Sequence, residues 1–417
     1  MNIQITPGPL SGTVCVPPSK SIAHRALICA ALAGGTSVIS PVDSSKDMDA
    51  TIGALRAMGA AIVREGKRIS VTGISTPPKQ AQIDCIESGS TLRFLIPVAA
   101  ALGISCRFTG SGRLPQRPLT PYVDTFLCKG VKLDSCFIPA NCFGQLEPGA
   151  YQIPGDVSSQ FITGLLFALP ILCGDSVIFL STPLESAPYI DLTIDVLRAF
   201  GIQIFREENR FVIPGGQRYQ PQNFAVESDY SNAAFFLTAA ALGSPIKLFS
   251  LSQDSLQGDR EILSVLSSFG ASPVWDQGVL EIQHPVCRAT QIFGRDIPDL
   301  LPILCVAATA VPGQTVIHET RRLKIKESDR AAAITDCLTR LGAKIREEPN
   351  ALVIDGGFPL HGARVSSYGD HRIAMSMAIA AGLADAPVVI EDAQAVEKSY
   401  PGFFADFQAL GGVLHVV

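Results

Sequence analysis

The chain begins several prospective helices with the wrong charge. In PSKSIAHR, which starts at Pro18, Lys20 directly follows the capping residue Ser19, and Arg25 lies less than two turns further on. Arg93 follows Ser88 at a similar distance, and Arg372 comes two residues after Asp370, with His371 between them. A helix start carries a partial positive charge, so each such cation costs roughly 0.3–1 kcal/mol unless an anion lies nearby. Free backbone N–H groups together with Lys and Arg side chains make a phosphate or carboxylate site. Any one of these residues reads equally well as a solvated surface charge. Their recurrence at equivalent points of a repeat argues for one shared anion pocket.

Further polar clusters fit that chemistry. GSGRLPQRP carries Arg113 and Arg117 in a Gly/Pro-rich stretch that reads as a loop. Ser158, Ser159 and Gln160 supply neutral donors suited to a phosphate, and Lys398 lies in VEKSYPG. KIKESDR places Lys324, Lys326 and Arg330 around Glu327 and Asp329, although this segment also reads as an exposed helix face with charge pairs. Proton transfer needs acids as well, and Asp299 and Glu327 are the two placed to serve. Asp299 also reads as a plain N-cap of the apolar run DLLPIL; one carboxylate oxygen can cap while the other faces a ligand.

The elements that must position these residues repeat six times. Segments ending in glycine recur at Gly59, Gly130, Gly201, Gly270, Gly342 and Gly411, at intervals of 71, 71, 69, 72 and 69 residues. Apolar residues three or four apart precede each, so each reads as a helix stopped by a left-handed glycine and followed by a strand. A second series of helices starts at caps Ser19, Ser88, Ser158, Asp229, Asp299 and Asp370, at intervals of 69, 70, 71, 70 and 71. These helices are apolar nearly all round, as in AAFFLTAAALG and LLPILCVAATA, and such helices are buried. Six units of about 70 residues, the first three capped by Ser and the last three by Asp, divide into two domains of three, with a boundary near Phe224 to Glu227.

Composition bounds the rest. A chain of 417 residues with 47% hydrophobic and 17% charged residues is globular and long enough for two cores. A net charge of −5 gives no electrostatic reason to expect nucleic acid. The most apolar stretch, from Phe161 to Cys173, contains Gly164 and Pro170 and is too short to span a bilayer. MNIQITPGPLSG has no basic segment followed by an apolar one, so a soluble, cytoplasmic protein is expected. The 11 cysteines are scattered and include no CxxC pair, which predicts reduced thiols, several of them (Cys29, Cys173, Cys305) in apolar runs, and no structural zinc. Gly110-Ser111-Gly112 is followed by Arg, Leu and Pro, so no dinucleotide-binding turn opens a helix there.

Taken in order, the motifs resemble the EPSP synthase family: PSKSIAHR, SGSTLRF at Ser88, LPQRPL at Leu114, PGDVSSQF at Pro154, ESAPYIDLT at Glu185, VESDYSNAAFF at Val226, IPDLLPIL at Ile297, RLKIKESDRAA at Arg322, YGDHRIAM at Tyr368 and EKSYPGFF at Glu397. The resemblance implies an α/β (α+β) fold: a two-domain inside-out α/β barrel of six βαβαββ repeats, three per domain. The chain crosses twice, so residues 1–17 join 227–417 and residues 18–226 form the other domain, with the active site in the cleft between them. It implies that Lys20, Ser21, Arg25, Ser158, Ser159, Gln160, Ser186, Asp299 and Lys326 hold shikimate 3-phosphate. Lys20, Gly89, Arg117, Gln160, Arg330, Arg372 and Lys398 are implied to hold phosphoenolpyruvate. Asp299 is implied as acceptor of the hydroxyl proton, with Glu327 and Lys20 delivering and returning protons, no metal or organic cofactor, and a monomer.

Three positions depart from the family pattern: Glu87 where Asn is usual, Leu119-Thr120-Pro121 after Arg117 and Pro118, and Arg322 where some members have Asn. The rival within the same fold is the sister enzyme acting on UDP-N-acetylglucosamine. It typically has Lys-Asn in place of Lys20-Ser21 and a loop Cys near Arg113 to Arg117, where this chain has none. A repeat-built anion-binding protein without catalysis is the rival of a different class; it would need the cations but neither Asp299 nor Glu327.

Overall fold

A computed structural model describes all 417 residues. Residues 18–226 form one compact unit, and residues 1–17 with 227–417 form a second. The first holds helices α1 (Lys20–Leu32), α2 (Lys46–Ala57), α3 (Gly89–Ala101), α4 (Thr120–Thr125), α5 (Ser159–Ala168) and α6 (Ala187–Ala199). The second holds α7 (Tyr230–Ala241), α8 (Ile262–Ser268), α9 (Leu301–Thr309), α10 (Arg330–Arg340), α11 (His371–Ala381) and α12 (Phe403–Ala409).

Each unit carries three four-stranded sheets, and all six share one plan: a parallel pair extended by two antiparallel strands. In the second repeat Gln80–Asp84 runs parallel to Ser105–Thr109, which pairs antiparallel with Ala140–Gly144 and through it with Val131–Leu133. The order strand, helix, strand, helix, strand, strand is the βαβαββ unit. Three sheets are completed from distant parts of the chain, one of them by Ile3–Thr6, which lies antiparallel between Val388–Glu391 and Val413–Val416. Gly12–Cys15 lies parallel to Ile246–Phe249, and Asn223–Ala225 lies parallel to Thr36–Ser40. The segments around Pro17 and Val226 are therefore the two crossings between units.

The odd-numbered helices form the cores. All twelve residues of α7 and all nine of α9 are buried, and the cores of the two units are separate clusters. At about 25 cal/mol per Å² of apolar surface, burying each Leu, Ile or Phe contributes roughly 1.5–3 kcal/mol. The glycine beat has its physical cause in the backbone: Gly59, Gly130, Gly201, Gly270, Gly342 and Gly411 all have φ between +73° and +107°. Residues with a Cβ rarely adopt that conformation.

Three local expectations need correction. The helix before Gly130 stops at Thr125, and the chain reaches the glycine through a turn in which Cys128 is also left-handed (φ +62°). Asp299 is not a cap. Helix α9 starts at Leu301 with Leu300 as its N-cap, because Pro298 and the turn Ile297–Leu300 displace the helix start. Cys29 and Cys305 are buried, but Cys173 is exposed, since the apolar run ends in a single turn at Leu169–Ile171 before reaching it. All 11 cysteines are free. No helix is long and apolar enough to cross a membrane.

Candidate active site

In residues 18–226 the starts of three buried helices are tied together by side chains. Ser88 and Ser158 accept backbone N–H groups of Thr91 and Gln160 and so cap α3 and α5. Ser19 stands at the cap of α1 without such a bond. Lys20 Nζ lies 2.7 Å from Asp47 Oδ2, in the first turn of α2. One turn on, His24 Nδ1 is 2.7 Å from the Thr51 hydroxyl, itself 2.7 Å from Thr91, whose hydroxyl donates to Ser88 Oγ. Burial, helped by Lys20 and Arg25 against Asp47, pulls His24 down to about 3, so the imidazole is neutral.

Neutral oxygens hold Arg25. Arg25 donates to Thr193 Oγ1 (2.8 Å), the Ser21 carbonyl (2.8 Å) and the Tyr189 carbonyl (3.0 Å), with its guanidinium 5.3 Å from the centre of Phe94. Burial lowers it to about 10, and it remains a cation at neutral pH. Arg93 donates to Gln160 Oε1 at 2.6 Å and lies over Phe161, while Gln160 Nε2 reaches Ser90 Oγ at 3.0 Å. Gly89, the first residue of α3, matters because of Arg117: a Cβ there would sit 2.8 Å from Arg117 Nη1, so the guanidinium rests on bare backbone. Ser186, buried before α6, is left-handed (φ +57°), a strained setting for a residue with a Cβ.

In the second unit the charges are densest. Arg330, 1% exposed, donates to Asp370 Oδ2 (2.8 Å), Asp299 Oδ1 (2.7 Å) and Glu327 Oε2 (2.9 Å). These acids hold the guanidinium well above its ordinary value, overcoming the burial that opposes its charge. Asp299 also meets Lys326 Nζ at 3.2 Å and Arg372 Nη2 at 3.6 Å. Burial alone would raise its carboxyl, but Lys326, Arg330 and Arg372 outweigh it and keep Asp299 well below the usual range. Lys326 is lowered by burial, with Asp299 opposing. Lys398 Nζ stands 3.8 Å from Glu327. Asp370 caps α11 and also accepts from Ser328. Arg372 donates to the Ser231 carbonyl at 2.8 Å.

The residues selected from sequence thus fall into two clusters. Lys20, Ser21, Arg25, Gly89, Arg117, Ser158, Ser159, Gln160 and Ser186 lie in one unit; Asp299, Lys326, Glu327, Arg330, Arg372 and Lys398 lie in the other. Lys324 belongs to neither, since it makes an exposed pair with Glu347. KESDR is no exposed face: its arginine is the most enclosed cation of the unit. Gly89 lies directly beneath the Arg117 guanidinium. Sequence reasoning passed over Asp47, Tyr189, Thr193 and Asp259, and saw Asp370 only as a cap. Asp47 stands 27 residues from Lys20, as Lys326 does from Asp299, and that spacing was the available signal. No group of three or more His, Cys, Asp or Glu residues is arranged to hold a metal ion.

Comparison with known proteins gives a consistent result. A family model described as EPSP synthase (3-phosphoshikimate 1-carboxyvinyltransferase) matches residues 5–407. The chain is 44% identical over 414 residues to the 3-phosphoshikimate 1-carboxyvinyltransferase of Clostridium kluyveri, covering 98% of this chain and 97% of that one. It is 44% identical over 423 residues to the enzyme of the same name from Clostridium botulinum, covering 99% and 98%. Among solved structures, EPSP synthase from Acinetobacter baumannii superposes with a TM-score of 0.82 at 25% identity, covering 100% of this chain and 99% of that one.

Proposed function

The chain belongs to the EPSP synthase family, and from that premise we propose that it transfers the enolpyruvyl group of phosphoenolpyruvate to the 5-hydroxyl of shikimate 3-phosphate, releasing phosphate, in the shikimate pathway to chorismate. Under this reading each unit is a domain, the two charged clusters are the two sides of one site, and the protein works in the cytoplasm as a monomer. Shikimate 3-phosphate is held by Lys20, Ser21, Arg25, Ser158, Ser159, Gln160, Ser186, Asp299 and Lys326. Phosphoenolpyruvate is held by Lys20, Gly89, Arg117, Gln160, Arg330, Arg372 and Lys398. Forked guanidinium groups suit a small ligand carrying both a carboxylate and a phosphate.

The chemistry follows from protonation states. Asp299, kept ionised by three cations, accepts the 5-hydroxyl proton as the oxygen attacks C2 of phosphoenolpyruvate. Its depressed basicity would be a handicap if its cations stayed fully committed to it. Anionic substrates share Lys326, Arg330 and Arg372, and the carboxylate becomes a better base once they are bound. Glu327 and Lys20 deliver a proton to C3 and take it back when the tetrahedral adduct expels phosphate. The surrounding Lys and Arg side chains stabilise the leaving group.

Asp299 is the observation that separates this reading from a bare anion-binding protein. A binding protein gains nothing from burying a carboxylate where it cancels three of its own cations. The UDP-N-acetylglucosamine alternative is not favoured, because the family model and the curated relatives carry the shikimate enzyme's name. The test is phosphate release from phosphoenolpyruvate with each acceptor in turn. Turnover with shikimate 3-phosphate is expected; turnover with the sugar nucleotide alone would overturn the assignment.

A further inference from the structure

The six repeats can be compared at one position. In each, a residue stands where the chain turns into the repeat's second helix. It is Asp47 in the first turn of α2, Arg117 before α4 and Ser186 at the start of α6. Next come Asp259 in the turn Gly258–Glu261 before α8, Lys326 before α10 and Lys398 before α12. The intervals are 70, 69, 73, 67 and 72 residues. In four repeats this residue meets the start of the repeat's own buried helix: Asp47 pairs with Lys20, Arg117 lies on Gly89, Lys326 pairs with Asp299, and Asp259 accepts the Ser231 hydroxyl. Four of the six bind ligand under the reading above, and Asp47 holds Lys20. Asp259 is left without a part.

We propose that Asp259 is a positioning residue of the same anion site, acting through Ser231 on Arg372 and setting how fully that arginine is released to an anionic ligand. This rests on the functional reading above. Ser231 is the joint: its hydroxyl donates to Asp259 while its carbonyl accepts from Arg372 Nη1 at 2.8 Å. The other arm of Arg372, Nη2, lies 3.6 Å from Asp299 Oδ2. Asp299 meets the guanidinium directly, whereas Asp259 acts on it through Ser231 and through its charge. Asp299 has Lys326 and Arg330 besides; the charged groups that act on Asp259 include Asp299, Arg372 and Asp229.

Burial, then the negative charge of Asp299, push the Asp259 carboxyl up to about 6, with Arg372 and the Ser231 hydroxyl opposing. Above that value a second carboxylate competes with the ligand for Arg372; below it the competitor is neutral. The converse follows by linkage. An anion arriving at Arg372 adds negative charge and draws away a cation, so Asp259 binds a proton more readily when ligand is present. Phosphoenolpyruvate binding near neutral pH is thus coupled to proton uptake inside the protein.

The test is calorimetric titration of phosphoenolpyruvate into enzyme saturated with the 5-deoxy analogue of shikimate 3-phosphate, which lacks the reacting hydroxyl, at about pH 7, in two buffers of different ionisation heat. It is run on the wild type, Asp259→Asn and Asp259→Glu. Protonation of the ligand's own phosphate is common to all three and cancels in the differences. Wild type and Asp259→Glu are expected to take up more protons than Asp259→Asn. The KM for phosphoenolpyruvate of the wild type should rise about 3-fold or more, relative to Asp259→Asn, between about pH 6 and pH 8. Equal proton uptake by wild type and Asp259→Asn, or superimposable KM profiles, would overturn the proposal. Should Asp259→Asn fail to fold, the wild type decides: uptake beyond the ligand's own phosphate supports the proposal, and uptake equal to it refutes it. If the wild type binds neither substrate, the functional reading falls, and the same titrations with inorganic phosphate still judge Asp259.

Discussion

Replacing Arg330 with methionine removes the cation that three acids share. The side chain is 1% exposed, and its partners Asp370, Glu327 and Asp299 are 0%, 17% and 23% exposed. Breaking a buried ion pair by deleting one partner costs about 3–5 kcal/mol. The lower end applies here. Asp370 keeps hydrogen bonds from Ser328 and the Arg372 backbone, Asp299 keeps Lys326 and Arg372, and Glu327 reaches water. We expect a loss of about 3 kcal/mol near neutral pH, or roughly 6–12 °C in the unfolding midpoint of a unit this size. The assay is at hand: Trp275, the chain's one tryptophan, lies in the same unit as Arg330, so its fluorescence in urea follows that unit.

The pH dependence has a definite sign. Asp299 has a folded-state carboxyl value depressed below the unfolded one. Its contribution to stability is present above about pH 4 and is lost as pH falls through the depressed value. Arg330 supplies part of that depression, so the gap between wild type and Arg330→Met must narrow at acid pH. A loss under about 1 kcal/mol at neutral pH, or a gap that does not change on acidification, would show that the arginine is not what stabilises these acids.

Other outcomes follow from single contacts. Asp299→Asn removes the proton acceptor and should lower kcat by about 10²–10⁴-fold with a smaller change in KM, read by phosphate release. Gly89→Ala would place a methyl group 2.8 Å from Arg117 Nη1; the displaced guanidinium should raise the KM for phosphoenolpyruvate while leaving thermal unfolding nearly unchanged. Gly164→Ala would drive its methyl group into the Arg93 carbonyl and the Tyr122 hydroxyl, where α3 and α5 pack. Backbone cannot yield as a side chain does, so a loss of about 1–3 kcal/mol or more is expected by urea titration. Lys20→Ala should abolish most activity and leave Asp47 without its principal cation, with phosphate release as the readout.

The repeat was legible because its punctuation is local. A left-handed glycine and a capping oxygen are requirements of four or five residues, and five of the six assigned caps stand at helix starts. Asp299 broke the pattern because Pro298 and the turn through Leu300 carry it off the helix axis, which freed its carboxylate for Lys326, Arg330 and Arg372. The cations announced themselves by offending a rule about helix ends. Asp47 and Asp259 offended nothing, since an acid in the first turn of a helix is ordinary. Their importance lies in contacts 27 and 28 residues away in sequence. Arg117 and Ser186 show the same limit. A loop arginine and a serine look unremarkable until the backbone beneath them is seen, bare at Gly89 and left-handed at Ser186.

The most direct test of the central claim is a binding titration with variants taken from each unit. Phosphoenolpyruvate is titrated into protein saturated with the 5-deoxy analogue of shikimate 3-phosphate, which lacks the reacting hydroxyl, using wild type, Arg117→Ala from one unit and Arg372→Ala from the other. One molecule bound per chain, with affinity reduced at least about tenfold by either change, is the predicted result. Two independent binding events, or full affinity surviving the loss of either arginine, would contradict the account.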